Sequence, residues 1–123
     1  MSIKQATVAD VIVEWDDTKH PQLNVQSGPL AKAALPRSAN NDDEFTPSRI
    51  VINLKLDLGN AEVATVTLQN VHIKIPCSGG SPEVGWWNGA KWVLFKQMVY
   101  ANGIADVTLP SPWPTDPPVG CNP

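Results

Sequence analysis

Long apolar runs, basic clusters and glycine-rich phosphate loops are all missing from this 123-residue sequence, and each absence closes off a class of function. No stretch approaches the roughly 18 consecutive apolar residues of a membrane-spanning helix, so no membrane partner is expected. Nine Lys and Arg stand against twelve Asp and Glu, a net charge of −3, and the basic residues are scattered. A nucleic-acid reader concentrates positive charge on one face, so no nucleic-acid partner is expected either. No phosphate loop or dinucleotide fingerprint occurs. Nor is there a G-x-S-x-G elbow; the nearest run, Cys77-Ser78-Gly79-Gly80-Ser81, lacks the strand–turn–helix setting that exposes a nucleophile.

Histidine and cysteine are equally sparse, with two of each. That is too few, and too widely spaced, for the paired close ligands of a structural zinc site, so neither a metal nor a cofactor is expected. His72 alternates with Val71 and Ile73 and reads as the polar side of a strand; His20 precedes Pro21 in a loop. A Cys77–His72 nucleophile pair is conceivable, but nothing in the sequence lowers the thiol pKa. The acidic runs Asp42-Asp43-Glu44 and Asp57, Asn60, Glu62 supply hard oxygen donors without the alternation of a calcium loop, and read as solvated acidic loops. Cys77 and Cys121 form an even pair in a small chain, which suits one disulfide closing a loop of about 45 residues, worth on the order of 4 kcal/mol; two unbonded thiols are the alternative. The first residues, Met1-Ser2-Ile3-Lys4, show no secretory leader. The chain as written is therefore expected in the cytoplasm, or outside the cell if a leader has been removed. A cytosolic setting keeps thiols reduced.

What the sequence has in excess is proline, twelve residues against a usual share of about 5%. Proline at that density cuts helices short and favours strands and loops. Apolar residues at 42% are ample for a core, and the length suits one domain over residues 1–123. Val11, Val13 and Trp15 are apolar at odd positions while Asp10 and Glu14 face the other way, the period of a half-buried strand. Residues 16–47 then read as a long irregular loop, with one possible short helix where Pro29, Leu30, Ala31, Ala34 and Leu35 precede Pro36. Ile50, Ile52, Leu54, Leu56 and Leu58 give the cleanest strand. A further extended run over 62–75 changes parity: Ala64, Val66 and Leu68 are even, Val71, Ile73 and Ile75 odd. That demands either a bulge near Gln69-Asn70 or a break into two strands.

Two Asn-Gly dipeptides, Asn88-Gly89 and Asn102-Gly103, sit between apolar, β-prone segments and signal hairpins, because a type I′ turn needs φ > 0 at both central residues. They predict a three-stranded meander over 83–87, 90–100 and 104–109. The tail, residues 110–123, holds six prolines and reads as extended along a sheet edge. The fold class that follows is all-β: an antiparallel β-sandwich of immunoglobulin-like or jelly-roll type, with a C-terminal meander and a proline-rich tail.

Function rests on one feature. Of five tryptophans, Trp86, Trp87 and Trp92 fall within seven positions. A two-residue turn at Asn88-Gly89 pairs Trp87 with Ala90, Trp86 with Lys91 and Gly85 with Trp92, so Trp92 shields Gly85 and Trp86 stacks on Lys91. Trp87, Trp92 and Leu94 then share one face, and Val84, Trp86, Val93 and Phe95 the other. A hairpin with one face in water is not apolar on both. Three explanations follow: a hairpin covered on both sides by the core and the tail, with Trp113 packing back; a contact with another subunit or a protein partner; or an aromatic platform for a sugar ring, with Asn88 adding a polar contact. The leading functional reading is a non-catalytic interaction protein that forms a homo-oligomer or docks on a protein partner through Trp86, Trp87, Asn88, Lys91, Trp92 and Trp113. A lectin-like, glycan-binding module using the same residues is second, and a small hydrolase third.

Overall fold

The fold follows from where alternating apolar segments find a second sheet to bury against. The computed structural model describes residues 3–28, 38–59, 65–114 and 117–123. Among the described residues twelve strands run in chain order: β1 Ile3–Val8, β2 Val11–Asp16, β3 Asn24–Ser27, β4 Arg49–Asp57, β5 Thr65–Val66, β6 His72–Pro76, β7 Glu83–Trp87, β8 Trp92–Leu94, β9 Met98–Ala101, β10 Ile104–Thr108, β11 Trp113–Pro114 and β12 Pro118–Asn122. Ten of them build two five-stranded antiparallel sheets, in the orders β1-β2-β6-β10-β9 and β3-β4-β12-β7-β8, and β5 pairs with β11. The two sheets pack face to face as a β-sandwich.

Period-two alternation decides what lies between them. Val11, Val13 and Trp15 of β2, Ile73 and Ile75 of β6, and Ala105 and Val107 of β10 face Ile52, Leu54 and Leu56 of β4, Val84 of β7 and Val119 of β12. Ile50 and Leu58 at the two ends of that alternation are half-buried, as are Lys55, Asp57 and Lys74 on the opposite faces of their strands. Lys74 leans on its neighbour strand, with Nζ 2.9 Å from Glu14 Oε1.

Several local expectations are corrected. Residues 16–47 are not uniformly irregular: β3, with Val25 as its one apolar residue, pairs along β4 from Asn24↔Asp57 to Ser27↔Leu54. β1 is a strand although its alternation is weak, because β2 offers it a ladder from Ile3↔Asp16 to Val8↔Val11. The parity change in 62–75 is a break, not a bulge. β5 and β6 belong to different sheets, and Asn70 turns between them at φ 57°. The candidate helix at 29–36 and the residues Asn60, Glu62 and Ala64 lie outside the described residues. Asn102-Gly103 forms the expected two-residue turn, with φ of 55° and 77° and Ala101 opposite Ile104. The predicted 90–100 strand is divided: β8 stays beside β7 in one sheet, and Phe95-Lys96-Gln97 carries the chain across to β9 in the other.

The largest correction concerns the tail. It does not run along an edge: β12 lies in the middle of the second sheet, paired with β4 on one side and β7 on the other. The proline count hides this strand because Pro118 occupies its first position, where a missing amide is tolerated, and Val119 to Asn122 keep their donors. Cys121 on β12 is bonded to Cys77, which directly follows β6 of the opposite sheet, with 6.0 Å between the Cα atoms. The pair therefore clips the two sheets together from inside, both residues being buried.

The turn after β2 is pinned by Asp16, whose Oδ1 accepts the Thr18 amide (2.9 Å) and the Thr18 hydroxyl. It delivers His20, in the loop before Pro21, into a buried position where Nε2 lies 2.9 Å from the Gln69 amide and 3.0 Å from its carbonyl.

Two measurements check this architecture. Leu54→Ala, at the centre of the core, is expected to cost about 2–5 kcal/mol in chemical denaturation. The Thr18 hydroxyl, then the Thr18 amide, holds the Asp16 carboxyl below its ordinary value. A depressed carboxyl contributes stability above its unfolded pKa of about 3.9 and loses it as pH falls through the folded value. Melting curves of wild type and Asp16→Asn are thus expected to differ most above about pH 4 and to converge below it.

Candidate functional site

The β7–β8 hairpin is built differently from the two-residue turn that Asn-Gly suggests. Trp87 pairs with Trp92, Trp86 with Val93 and Gly85 with Leu94, leaving a four-residue loop over 88–91. Asn88 closes the loop: its amide donates to the Lys91 carbonyl at 3.1 Å, and its Oδ1 accepts the Ala90 and Lys91 amides, each at 2.9 Å. One side chain thereby satisfies two turn donors, so the wider loop is stable without a second residue at positive φ. The register moves by two residues, which preserves the faces while changing every pair. Trp86 accordingly meets Val93 instead of stacking on Lys91, and Leu94 rather than Trp92 lies opposite Gly85.

Both faces of the hairpin are covered, by different elements. On the inner face Trp86 lies 5.3 Å from Trp113, centroid to centroid, and Trp113 stacks on Phe95 at 6.2 Å. Trp113 is fully buried, and its indole N–H donates to the Leu54 carbonyl at 3.2 Å. On the outer face the cover is the 38–48 segment and not the tail. Phe45 meets Trp92 edge-on at 5.7 Å, and Trp92 meets Trp87 at 5.9 Å. Gly85 is the seat for Phe45: a β-carbon there would come within 2.3 Å of the Phe45 ring and 2.2 Å of the Val93 carbonyl. Trp92 and Trp113 are thus core residues, Trp86 and Trp87 are half-buried, Lys91 is half-buried in the loop, and Asn88 is exposed.

The acidic run beside Phe45 has a structural use. Asp43 Oδ1 accepts the Trp92 amide at 2.8 Å and Oδ2 the Ser38 amide at 3.2 Å; Glu44 Oε1 accepts the Leu94 amide at 2.9 Å. The Glu44 amide donates to the Trp92 carbonyl at 2.9 Å. β8 is the last strand of its sheet, and these contacts close the edge that would otherwise invite another chain. Among the described residues no group of three or more His, Cys, Asp or Glu gathers in a metal-binding arrangement. Cys77 is spent in the disulfide, which removes the conceivable Cys77–His72 pair. His72 is exposed on the outer side of the first sheet, Nδ1 lying 3.2 Å from Thr108 Oγ1 and 3.8 Å from Asp106 Oδ1.

Beside Trp86 the sandwich opens. A cleft of about 410 Å³ is walled by Trp86, Val93 and Phe95 from the second sheet and by Thr108, Leu109 and Pro110 from the end of β10. Glu44, Asn88, Lys96 and Gln97 form its exposed polar rim, where Lys96 Nζ stands 3.8 Å from Glu44 Oε1. The hairpin half of this wall was legible, since alternation groups Trp86, Val93 and Phe95. Leu109, Pro110 and the 95–97 crossover carry no sequence signal for it, because only the division of the 90–100 strand brings them there. No known protein family, curated protein or solved structure matches this chain.

Two substitutions separate edge protection from core packing. Asp43→Ala strands the Trp92 and Ser38 amides and is expected to cost about 1–3 kcal/mol. Trp92→Ala empties a buried aromatic site and is expected to cost about 3–5 kcal/mol, measured by denaturant unfolding.

Proposed function

We propose that the protein is a non-catalytic binding module whose ligand enters the cleft beside Trp86. The observation that carries this reading is the cleft itself: concave, about 410 Å³, with a largely apolar wall and a polar, charged rim. Ligand sites have this form, roughly 300–1,000 Å³ of mostly apolar surface with a few orienting polar groups. The half-buried indole of Trp86 supplies a rigid contact surface, and its packing on Trp113 fixes that surface in place. The occupant that fits best is a large apolar side chain presented by a protein partner, since anchors of that kind bury against aromatic pockets at interface hot spots. Lys96 and Glu44 at the rim then orient the flanking polar groups of the partner. A sugar ring is the second reading, favoured by Asn88, Gln97 and Thr108 lining the same cleft as Trp86. The buried Cys77–Cys121 pair supports residence in an oxidising compartment in preference to the cytoplasm.

Displayed-peptide selection and a glycan array on the same immobilised protein distinguish the occupants. Gln97→Trp, made at an exposed rim position, fills the mouth without disturbing the core. Peptides with a large apolar anchor are expected to bind and to weaken at least ~10-fold, about 1.4 kcal/mol, with Gln97→Trp at unchanged melting temperature. Glycan hits lost on Gln97→Trp install the sugar reading instead. Binding of neither class, or binding that Gln97→Trp leaves untouched, overturns the cleft as the site.

A further inference from the structure

The open edge of the first sheet differs from the protected edge at β8. β9, Met98–Ala101, is the last strand of its sheet and carries no charge, proline or bulge; β1, at the opposite edge, carries Lys4. Of the four large apolar side chains exposed among the described residues, three lie on the β9–β10 hairpin: Met98, Val99 at 70% exposure, and Ile104. The register fixes which main-chain groups are free. Ala101↔Ile104 flanks the two-residue turn and Val99↔Asp106 lies two positions further, so these are the hydrogen-bonded pairs of the ladder. The amides and carbonyls of Met98 and Tyr100 therefore point away from β10, along the open edge. An uncharged, apolar edge with unpaired main-chain groups is a template for another strand.

We propose that this strand is β9 of a second copy of the chain, antiparallel about a twofold axis through Val99. In that register Met98 lies opposite the partner's Tyr100, and Val99 opposite the partner's Val99. All four outward main-chain groups of each copy find mates. The central valines form a non-hydrogen-bonded pair, the kind in which side chains approach most closely. Charge permits the contact: each copy has a net charge of −3, yet positions 97–101 hold Gln, Met, Val, Tyr and Ala, so no like charges meet at the seam. Such isologous pairing closes on itself and stops at two. A seam of four residues buries less than the roughly 1,200 Å² of a stable interface, so the dimer is weak and concentration-dependent. This surface adjoins the Trp86 cleft only at Gln97, and the dimer does not rest on the cleft's having a ligand.

Sedimentation velocity on the full chain, from about 10 µM to about 1 mM, brackets an interface of this size. The expected result is a weight-average mass rising from monomer towards dimer. Val99→Lys, at an exposed position, is expected to raise the midpoint at least ~10-fold while leaving the melting temperature unchanged. Met98→Pro removes one outward amide without touching the β10 ladder and is expected to do the same. Amide exchange at Met98 and Tyr100 is expected to slow as concentration rises. A monomer across the whole range overturns the proposal, as does a dimer that survives Val99→Lys or Met98→Pro.

Discussion

The second sheet is two separate hairpins until β12 lies between them. Among the described residues β3 pairs only with β4, and β8 only with β7; the ladders that join these pairs are β4–β12 and β12–β7. Val119 on β12 packs in the core, and Cys121 two residues later bonds to Cys77 of the opposite sheet. Pairings between the last residues and strands some 35 and 70 positions earlier are long-range contacts, whose loop-closure cost is met before they stabilise anything. The closing strand and the disulfide thus act at one place: the bond holds β12 against the first sheet while its two ladders hold it within the second.

Sheet edges are treated unequally. At β8 the acidic segment around Asp43 and Glu44 supplies the acceptors and the donor that a neighbouring strand would have supplied. The same segment places Phe45 over Gly85 and Pro47 over Gly120, both of which lack the side chain that would block the approach. One loop therefore covers a face and closes an edge, which explains how the outer face of the hairpin can be apolar without lying bare. At β9 no described side chain performs that service, and Met98 and Val99 stand exposed there.

Six of the eight aromatic residues form two groups separated by the thickness of the β7–β8 hairpin. Phe45, Trp92 and Trp87 lie outside it; Trp86, Trp113 and Phe95 lie within. Rigid rings stacked on one another hold the wall of the cleft in a fixed shape, so a ligand there meets a preformed surface and spends little on ordering it. Trp86 and Phe95 each reach both the stack and the cleft.

Local chemistry alone determined a good part of this protein. Proline density excluded long helices, alternation at Val11–Trp15 and Ile52–Leu56 fixed which residues face inward, and Asn102-Gly103 fixed its hairpin, because φ preference and side-chain parity act within a few residues. The face shared by Trp86, Val93 and Phe95 was legible for the same reason, and it survived a register shift because the shift was even. What the sequence could not determine required partners far along the chain. β1 and β3 are strands because β2 and β4 offer them ladders, and the tail is a central strand because two hairpins leave a gap that Val119–Asn122 can fill. Asn88-Gly89 opens into a four-residue loop because Asn88 Oδ1 satisfies the turn amides, and the cleft exists only because the chain leaves one sheet at Phe95 for the other. Parity and turn preference are properties of neighbouring residues; ladder partners, edge protection and cavities belong to residues that meet only after the chain has folded.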